Sequence, residues 1–307
     1  MSTSSTAEAH EGEVDLPRMQ AGGSPQHLLL TLLGDYWYGQ RAALPSAALV
    51  ALLGEFGITE VSARAALSRL ARRGLLELSK SGRRTSYALS ARAADVLREG
   101  VRHILTFGAR EEPWSGQWTV AAFSVPEDHR DLRHNLRTRL GWLGFAPLYD
   151  GVWVCPHERS QEVSRVIADI GIDTATVFRA ETAGDLPPGG NPLRAWNLDA
   201  LRNTYVDLQA EYEPVRERLR TGQIGTAEAL IARTAFMDAW RNFPNLDPEL
   251  PDVLLPPKWP RAQARNLFIE LYDGLAWLAE KRVVQVVTEF DEGLAHLVRS
   301  HTTEFAG

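Results

Sequence analysis

Between Thr59 and Arg73 the chain alternates basic, hydroxyl-bearing and small apolar residues at spacings that a helix sorts onto two sides. At 3.6 residues per turn, Ala63, Ala66, Leu67, Leu70 and Ala71 share one apolar and mostly small face. Val61, Arg64, Ala65, Ser68, Arg69 and Arg72 share the opposite face, with Ser62 at its edge. These residue types suit the DNA major groove. Arginine can bond both acceptors of a guanine, a small apolar group can lie on a thymine methyl, and a short hydroxyl lets the backbone come close to phosphate. A few residues later, Lys80-Ser81-Gly82-Arg83-Arg84 is a basic turn between two strand-like runs, from which Arg83 and Arg84 would reach phosphate or the minor groove. An amphipathic surface helix beside a charged turn would have the same composition; the order of elements around the helix favours the DNA reading.

Other chemistries have thinner support. His129 and His134 are five residues apart, as are His296 and His301, so neither pair shares a helix face as an i, i+4 metal pair would. They read as solvated histidines. Cys155 ends a strand-like run beside Pro156 and His157, which suggests a buried structural thiol rather than a nucleophile pair. No dinucleotide fingerprint, phosphate-binding loop or nucleophile elbow is present, and Gly141-Trp142-Leu143-Gly144 matches a backbone-clamping GxxG only in spelling. No catalytic residues, metal site or cofactor are expected. Towards the C-terminus Trp240, Phe243, Trp259, Phe268, Tyr272 and Trp277 either form core or line a cavity for an aryl group. Arg241, Lys258, Arg261 and Arg265 are the cations nearest them in sequence, available to ligand phosphates or to acidic neighbours such as Glu249 and Asp252. Arg130, Arg133, Arg137 and Arg139 form either a solvated face or a further contact surface.

The elements that would position these residues follow from caps and periodicity. Residues 1–23 are Ser/Thr/Glu-rich and read as a disordered tail. Helices are expected over 26–33, ended by Gly34; over 45–56, opened by Pro45; and over 60–73, capped by Thr59 and stopped by Gly74. A hairpin of 75–79 with 85–89 follows, then a helix over 91–107. Three helices and a basic hairpin make a winged helix-turn-helix. From 117 to 180 the order is strand, helix (127–143), two strands around Asp150-Gly151, helix (158–170) and strand, the βαββαβ order of a ferredoxin-like domain. Residues 184–192 are rich in proline and glycine and read as a linker. Everything beyond is helical in pattern, with Tyr205, Leu208 and Tyr212 on one face and helices over 227–242, 261–278 and 283–298. The expected fold class is therefore α+β: a tail (1–23), a winged helix-turn-helix with linker helix (24–110), a ferredoxin-like middle domain (111–183), a linker (184–192) and a mainly helical C-terminal domain (193–307).

Charge distribution agrees with that division. The 307 residues carry a net charge of −6, but residues 24–110 sum to +6 and the chain beyond 110 to −9. Seven cations lie between 57 and 84 against Glu60 and Glu77. Such asymmetry is the footprint of a local polyanion contact on an otherwise acidic protein, although a solvated charged face is the commoner cause of a charge cluster. A single cysteine excludes an intrachain disulfide and a Cys-rich zinc site. No apolar run is long enough to span a membrane and the N-terminus lacks a secretory pattern, so a cytoplasmic location without membrane contact is expected.

Several long motifs, in order, resemble the PaaX family of transcriptional repressors of aromatic-acid catabolism. In the N-terminal part they are Val61-Ser62-Ala63-Arg64-Ala65-Ala66-Leu67-Ser68-Arg69-Leu70 with Arg73-Gly74, and Gly82-Arg83-Arg84 before Tyr87. The middle part contributes Trp118-Thr119-Val120, Phe123-Ser124-Val125-Pro126 and Gly151-Val152-Trp153-Val154. Trp240-Arg241-Asn242-Phe243-Pro244, Asp247-Pro248-Glu249-Leu250-Pro251, Leu254-Leu255-Pro256 and Trp259-Pro260 complete the match. The resemblance covers roughly residues 25–300. It implies a homodimeric repressor that binds a double-stranded operator and is released by an aryl-CoA thioester such as phenylacetyl-CoA. The residues assigned to DNA are Ser62, Arg64, Ala65, Ser68, Arg69, Arg72, Lys80, Arg83 and Arg84, and those assigned to effector are Trp240, Arg241, Lys258, Arg261 and Arg265. A regulator of the same architecture answering to another protein or to a free aromatic acid is the alternative. An acyl-CoA-processing enzyme is disfavoured by the missing nucleophile and base.

Overall fold

In the computed structural model, residues 24–109, 113–184 and 190–306 are described. The expected tail and most of the expected linker fall outside them. The described residues divide into two compact units: one takes those up to Leu105, Arg218–Asp238 and those from Leu271 onward, and the other takes those within Thr106–Glu217 and Ala239–Glu270.

The first unit begins with α1 (Pro25–Tyr36). Ser24 caps it by accepting from the His27 N–H at 3.3 Å, and Pro25 stands where its missing donor costs nothing. The helix runs through Gly34 rather than ending there. Asp35 and Tyr36 are both buried, and their anchoring outweighs the roughly 1 kcal/mol that an interior glycine costs. Strand β1 (Leu44–Pro45) leads into α2 (Ser46–Gly54), with Pro45 as the residue before the helix rather than its first member. Thr59 then caps α3 (Glu60–Arg72), accepting from the Ser62 N–H. At its other end Gly74 adopts φ +71°, so that the Gly74 and Leu75 N–H groups close back onto the Ala71 and Leu70 carbonyls, a Schellman motif.

Strands β2 (Leu76–Ser81) and β3 (Arg84–Leu89) form a hairpin whose turn is only Gly82-Arg83. The five-residue turn expected from sequence is shortened because Gly82, at φ +59°, allows a two-residue reversal and Lys80, Ser81 and Arg84 join the ladder. The sheet order is β1-β3-β2, antiparallel throughout. α4 (Ala91–Thr106) follows. Leu29, Leu49, Leu53, Leu67 and Leu70 are closed off in the core of this unit.

In the second unit, β4 (Trp118–Phe123), α5 (Arg130–Trp142), β5 (Ala146–Tyr149), β6 (Val152–Cys155), α6 (Ser160–Ile170) and β7 (Ala175–Ala180) follow the expected order. Their sheet runs β5-β6-β4-β7 with every pair antiparallel. Phe123, Leu136, Leu140, Phe145, Trp153, Cys155 and Val163 fill the core between this sheet and its two helices. Gly151 is required at the hairpin: φ is +75°, and a Cβ there would lie 2.5 Å from the Phe123 carbonyl oxygen.

The C-terminal chain is helical, with α7 (Leu198–Arg220), α8 (Thr226–Trp240), the short α9 (Phe243–Leu246), α10 (Arg261–Gly274) and α11 (Ala276–Thr288). The last two differ from the sequence expectation. The break falls at Gly274-Leu275, where a Cβ on the glycine would meet a Leu219 methyl at 2.8 Å, and α11 stops at Thr288. Residues 292–297 are a 3-10 segment capped by the Asp291 carboxylate.

Candidate nucleic-acid interface

α3 buries Ala63, Ala66, Leu67 and Leu70, the four most inward residues of the predicted face. Small side chains on that face let it lie close against the neighbouring helices. The opposite side is solvent-exposed at Val61, Ser62, Arg64, Ser68, Arg69 and Arg72, with Ala65 half-buried. Lys80, Arg83 and Arg84 are exposed on the hairpin. All nine residues assigned to DNA from sequence therefore lie in the first unit at or near its surface.

Their charges are not equally available. Arg64 is braced one turn back to Glu60, with Nε and Nη2 at 2.8 and 2.7 Å from the same carboxylate oxygen. Among the described residues, Arg69, Arg72, Lys80, Arg83 and Arg84 have no carboxylate within ion-pair distance. The face thus presents five uncommitted cations on a chain that is acidic elsewhere, an electrostatic arrangement suited to a polyanion.

The effector set is placed differently. Trp240 is fully buried, stacked on Phe268 with centroids 4.7 Å apart, and packed against Phe107 and Phe243. Tyr205 stacks on Phe243 and meets Trp259 edge-on. Arg261 lies over a buried carboxylate: Asp247 accepts from its Nε at 2.8 Å, from its Nη2 at 3.0 Å and from the Tyr205 hydroxyl at 2.6 Å. Burial beside that carboxylate pushes the Tyr205 phenol well above its ordinary range. Arg265 donates to the Phe107 carbonyl. Arg241 is half-buried, and loss of hydration pulls its guanidinium down to about 10. Lys258 is exposed, with φ +59° in the left-handed region. Two of the remaining aromatics are elsewhere: Tyr272 belongs to a buried polar cluster of the first unit, and Trp277 is on the surface, 62% exposed beneath the Lys281 ammonium.

Sequence reasoning missed that polar cluster, which contains Asp35, Arg233, Tyr272 and His301; His301, expected to be solvated, is buried at 6% exposure against the Tyr272 hydroxyl. Its signal was present, since Asp35 and Arg233 are charges set inside otherwise apolar helical stretches. Asp247 was noted in a motif but not as the partner of Arg261. The arginines of α5 have acidic or backbone partners close by: Arg130 and Arg133 reach Glu127, Arg137 reaches Asp150, and Arg139 reaches Asp169. Cys155 is buried, its thiol 3.8 Å from the Leu143 carbonyl oxygen. Among the described residues no group of three metal-ligating side chains comes together, and no helix is long and apolar enough to cross a membrane.

Three family models match the chain in order: PaaX-like protein over residues 24–93, PaaX protein central Cas2-like domain over 111–189, and PaaX-like protein C-terminal domain over 196–285. In sequence the chain is similar to the transcriptional repressor PaaX of Escherichia coli (strain K12), at 26% identity over 265 residues and 83% of each chain. In fold it is similar to an uncharacterized protein from Mycobacterium tuberculosis, with a TM-score of 0.55 and 24% identity over 86% of this chain and 98% of that one.

Proposed function

This chain belongs to the PaaX family, whose matched relative is a transcriptional repressor rather than an enzyme, and from that premise we propose that it binds a specific operator through α3 and the β2–β3 hairpin. The observation that carries this reading is the outward face of α3, where Ser62, Arg64, Ser68, Arg69 and Arg72 stand exposed above a small buried face. In this reading residues 24–110 are a winged helix-turn-helix. Ser62, Arg64, Ala65, Ser68, Arg69 and Arg72 enter the major groove, and Lys80, Arg83 and Arg84 contact phosphate or the minor groove. Residues 111–183 act as a ferredoxin-like middle domain, a reading supported by the β5-β6-β4-β7 order and the two helices packed with it. Residues 193–307 carry effector binding and dimerisation. The protein works in the cytoplasm as a homodimer whose two α3 helices meet half-sites about one or two helical turns apart.

Release from DNA is a population shift driven by a ligand that prefers the other dimer geometry. The ligand is an aryl-CoA thioester, held by Trp240, Arg241, Lys258, Arg261 and Arg265. The pairing of Arg261 with Asp247 supports a second reading, in which the effector is the free aromatic acid, because a cation already matched to a buried carboxylate attracts phosphate poorly. Footprinting of the full chain on DNA upstream of its own operon, repeated with aromatic acids and their CoA esters, tests both readings. Protection of a palindromic site that is lost with the thioester alone supports the first, and loss with the free acid supports the second. Absence of any protected site rejects operator binding.

A further inference from the structure

Val61 is 79% exposed, the largest exposure among the large hydrophobic side chains of the described residues, and it stands on the α3 face made otherwise of arginine, serine and Ala65. Among the described residues no packing contact accounts for a valine there. Its β-branched side chain lowers helix propensity relative to alanine, and left in water it contributes no burial. A single exposed apolar residue is ordinary on a general surface. This one occupies the second position of a capped helix, on a face whose later cations, Arg69 and Arg72, have no carboxylate within ion-pair distance among the described residues.

The neighbouring geometry narrows its partner. Residues i and i+4 are stacked on a helix, so Val61 and the half-buried Ala65 make one methyl-rich strip, continued by Ser68. Arg64 is drawn back to Glu60 and does not cover that strip. The only outward-facing apolar group on a base edge in the major groove is the C5-methyl of thymine. The first turn of a groove-entering helix is also the part that comes nearest the bases. Positive charge on the same face supplies the attraction that brings this strip against duplex DNA.

We propose that Val61 is a specificity-determining residue that packs on the C5-methyl of one thymine in each operator half-site. This rests on the proposed operator binding and adds to it a base, an atom and a position. The contact is dry and apolar, so it discriminates thymine from deoxyuridine, which has the same pairing edge and the same O4 acceptor but lacks the methyl. Burial of one methyl-sized group corresponds to roughly a four-fold change in affinity.

The test uses the full-length chain and a duplex selected by it from a random pool. Each thymine is replaced in turn by deoxyuridine, and affinity is measured for the unaltered protein and for Val61→Ala, whose fold is checked by circular dichroism. Alanine is a better helix former, so α3 keeps its helix in the variant. The expected result is one position per half-site where deoxyuridine weakens the unaltered protein about three- to five-fold, and where Val61→Ala binds thymine and deoxyuridine duplexes equally. Equal affinity at every position in the unaltered protein, or a thymine preference that survives Val61→Ala, overturns the assignment of Val61 while leaving operator binding standing. Failure of the selection to yield any duplex preferred over random DNA overturns operator binding itself, and this assignment with it.

Discussion

Arg233 and Asp35 face each other at 3.4 Å with both side chains closed off from solvent, joining α8 to the end of α1. Around the pair, the Tyr272 hydroxyl donates to Asp35 at 2.8 Å, the guanidinium lies 3.8 Å from the centre of the Tyr272 ring, and Arg233 donates to the Tyr272 and His301 carbonyls. Burial raises the Tyr36 phenol, which adjoins the same guanidinium, to about 12. A buried charge is tolerable only when it is matched in this way.

Removing one member of the pair should therefore be costly. Arg233→Ala is expected to lower the stability of the first unit by about 3–5 kcal/mol, because it leaves the Asp35 carboxylate buried without its cation. The double variant with Asp35→Ala should cost less than the two single changes added together. Urea denaturation followed by circular dichroism measures both; strict additivity would mean that the two charges are not coupled.

Stability should also fall in mild acid. Burial, reinforced by the Arg233 charge and opposed by Asp35, pulls His301 below its ordinary value of 6.5. The folded state thus takes up its proton later than the unfolded state does. The contribution is complete above pH 6.5 and is lost as pH falls from there through the depressed value. Glu55, lowered by its hydrogen bonds to Arg282, acts in the same direction but only below its ordinary 4.5. Thermal melting of the full chain from pH 7.5 to 5 should show a decline that His301→Gln reduces. An unchanged slope in that variant would place the titration elsewhere.

The arginines of α3 should separate by their partners. Arg69→Ala is expected to weaken operator binding by about 1–3 kcal/mol and random DNA much less, whereas Arg83→Ala weakens both alike. Glu60→Gln releases Arg64 from its brace and should strengthen binding to random DNA, steepening the salt dependence by about one ion. Fluorescence anisotropy across a salt series reads all three. An unaffected operator affinity in Arg69→Ala would remove α3 as the reading element.

In the second unit, Arg261 and Arg241 should behave differently although sequence groups them together. Arg261→Ala strands the buried Asp247 and Tyr205 groups and is expected to lower the melting temperature before any ligand is added. Arg241→Ala should raise the effector concentration needed for DNA release and leave ligand-free operator affinity unchanged. Melting curves and effector titrations on the same two preparations distinguish them; a shared phenotype would contradict this division of roles.

The helices and strands around α3 were legible in the sequence because local signals agree there. Thr59 and Gly74 mark the ends of α3, alternating small and basic residues define its two faces, and Gly82 marks the hairpin reversal, as Asp150-Gly151 does for the β5–β6 hairpin of the second unit. These depend on contacts a few residues apart, and one strand of text contains both partners. Which charges remain free is a different matter, because ion pairs form between segments distant in sequence. Asp35 is 198 positions from Arg233, and neither residue type nor spacing joins them. Arg261 and Arg265 looked like open cations beside aromatics, but folding gives one to Asp247 and the other to the Phe107 carbonyl. Side-chain chemistry and local helical phase could be read from the sequence alone; the partner that neutralises or exposes each charge was decided only by the tertiary structure, since desolvation acts on whatever groups packing brings within a few ångströms.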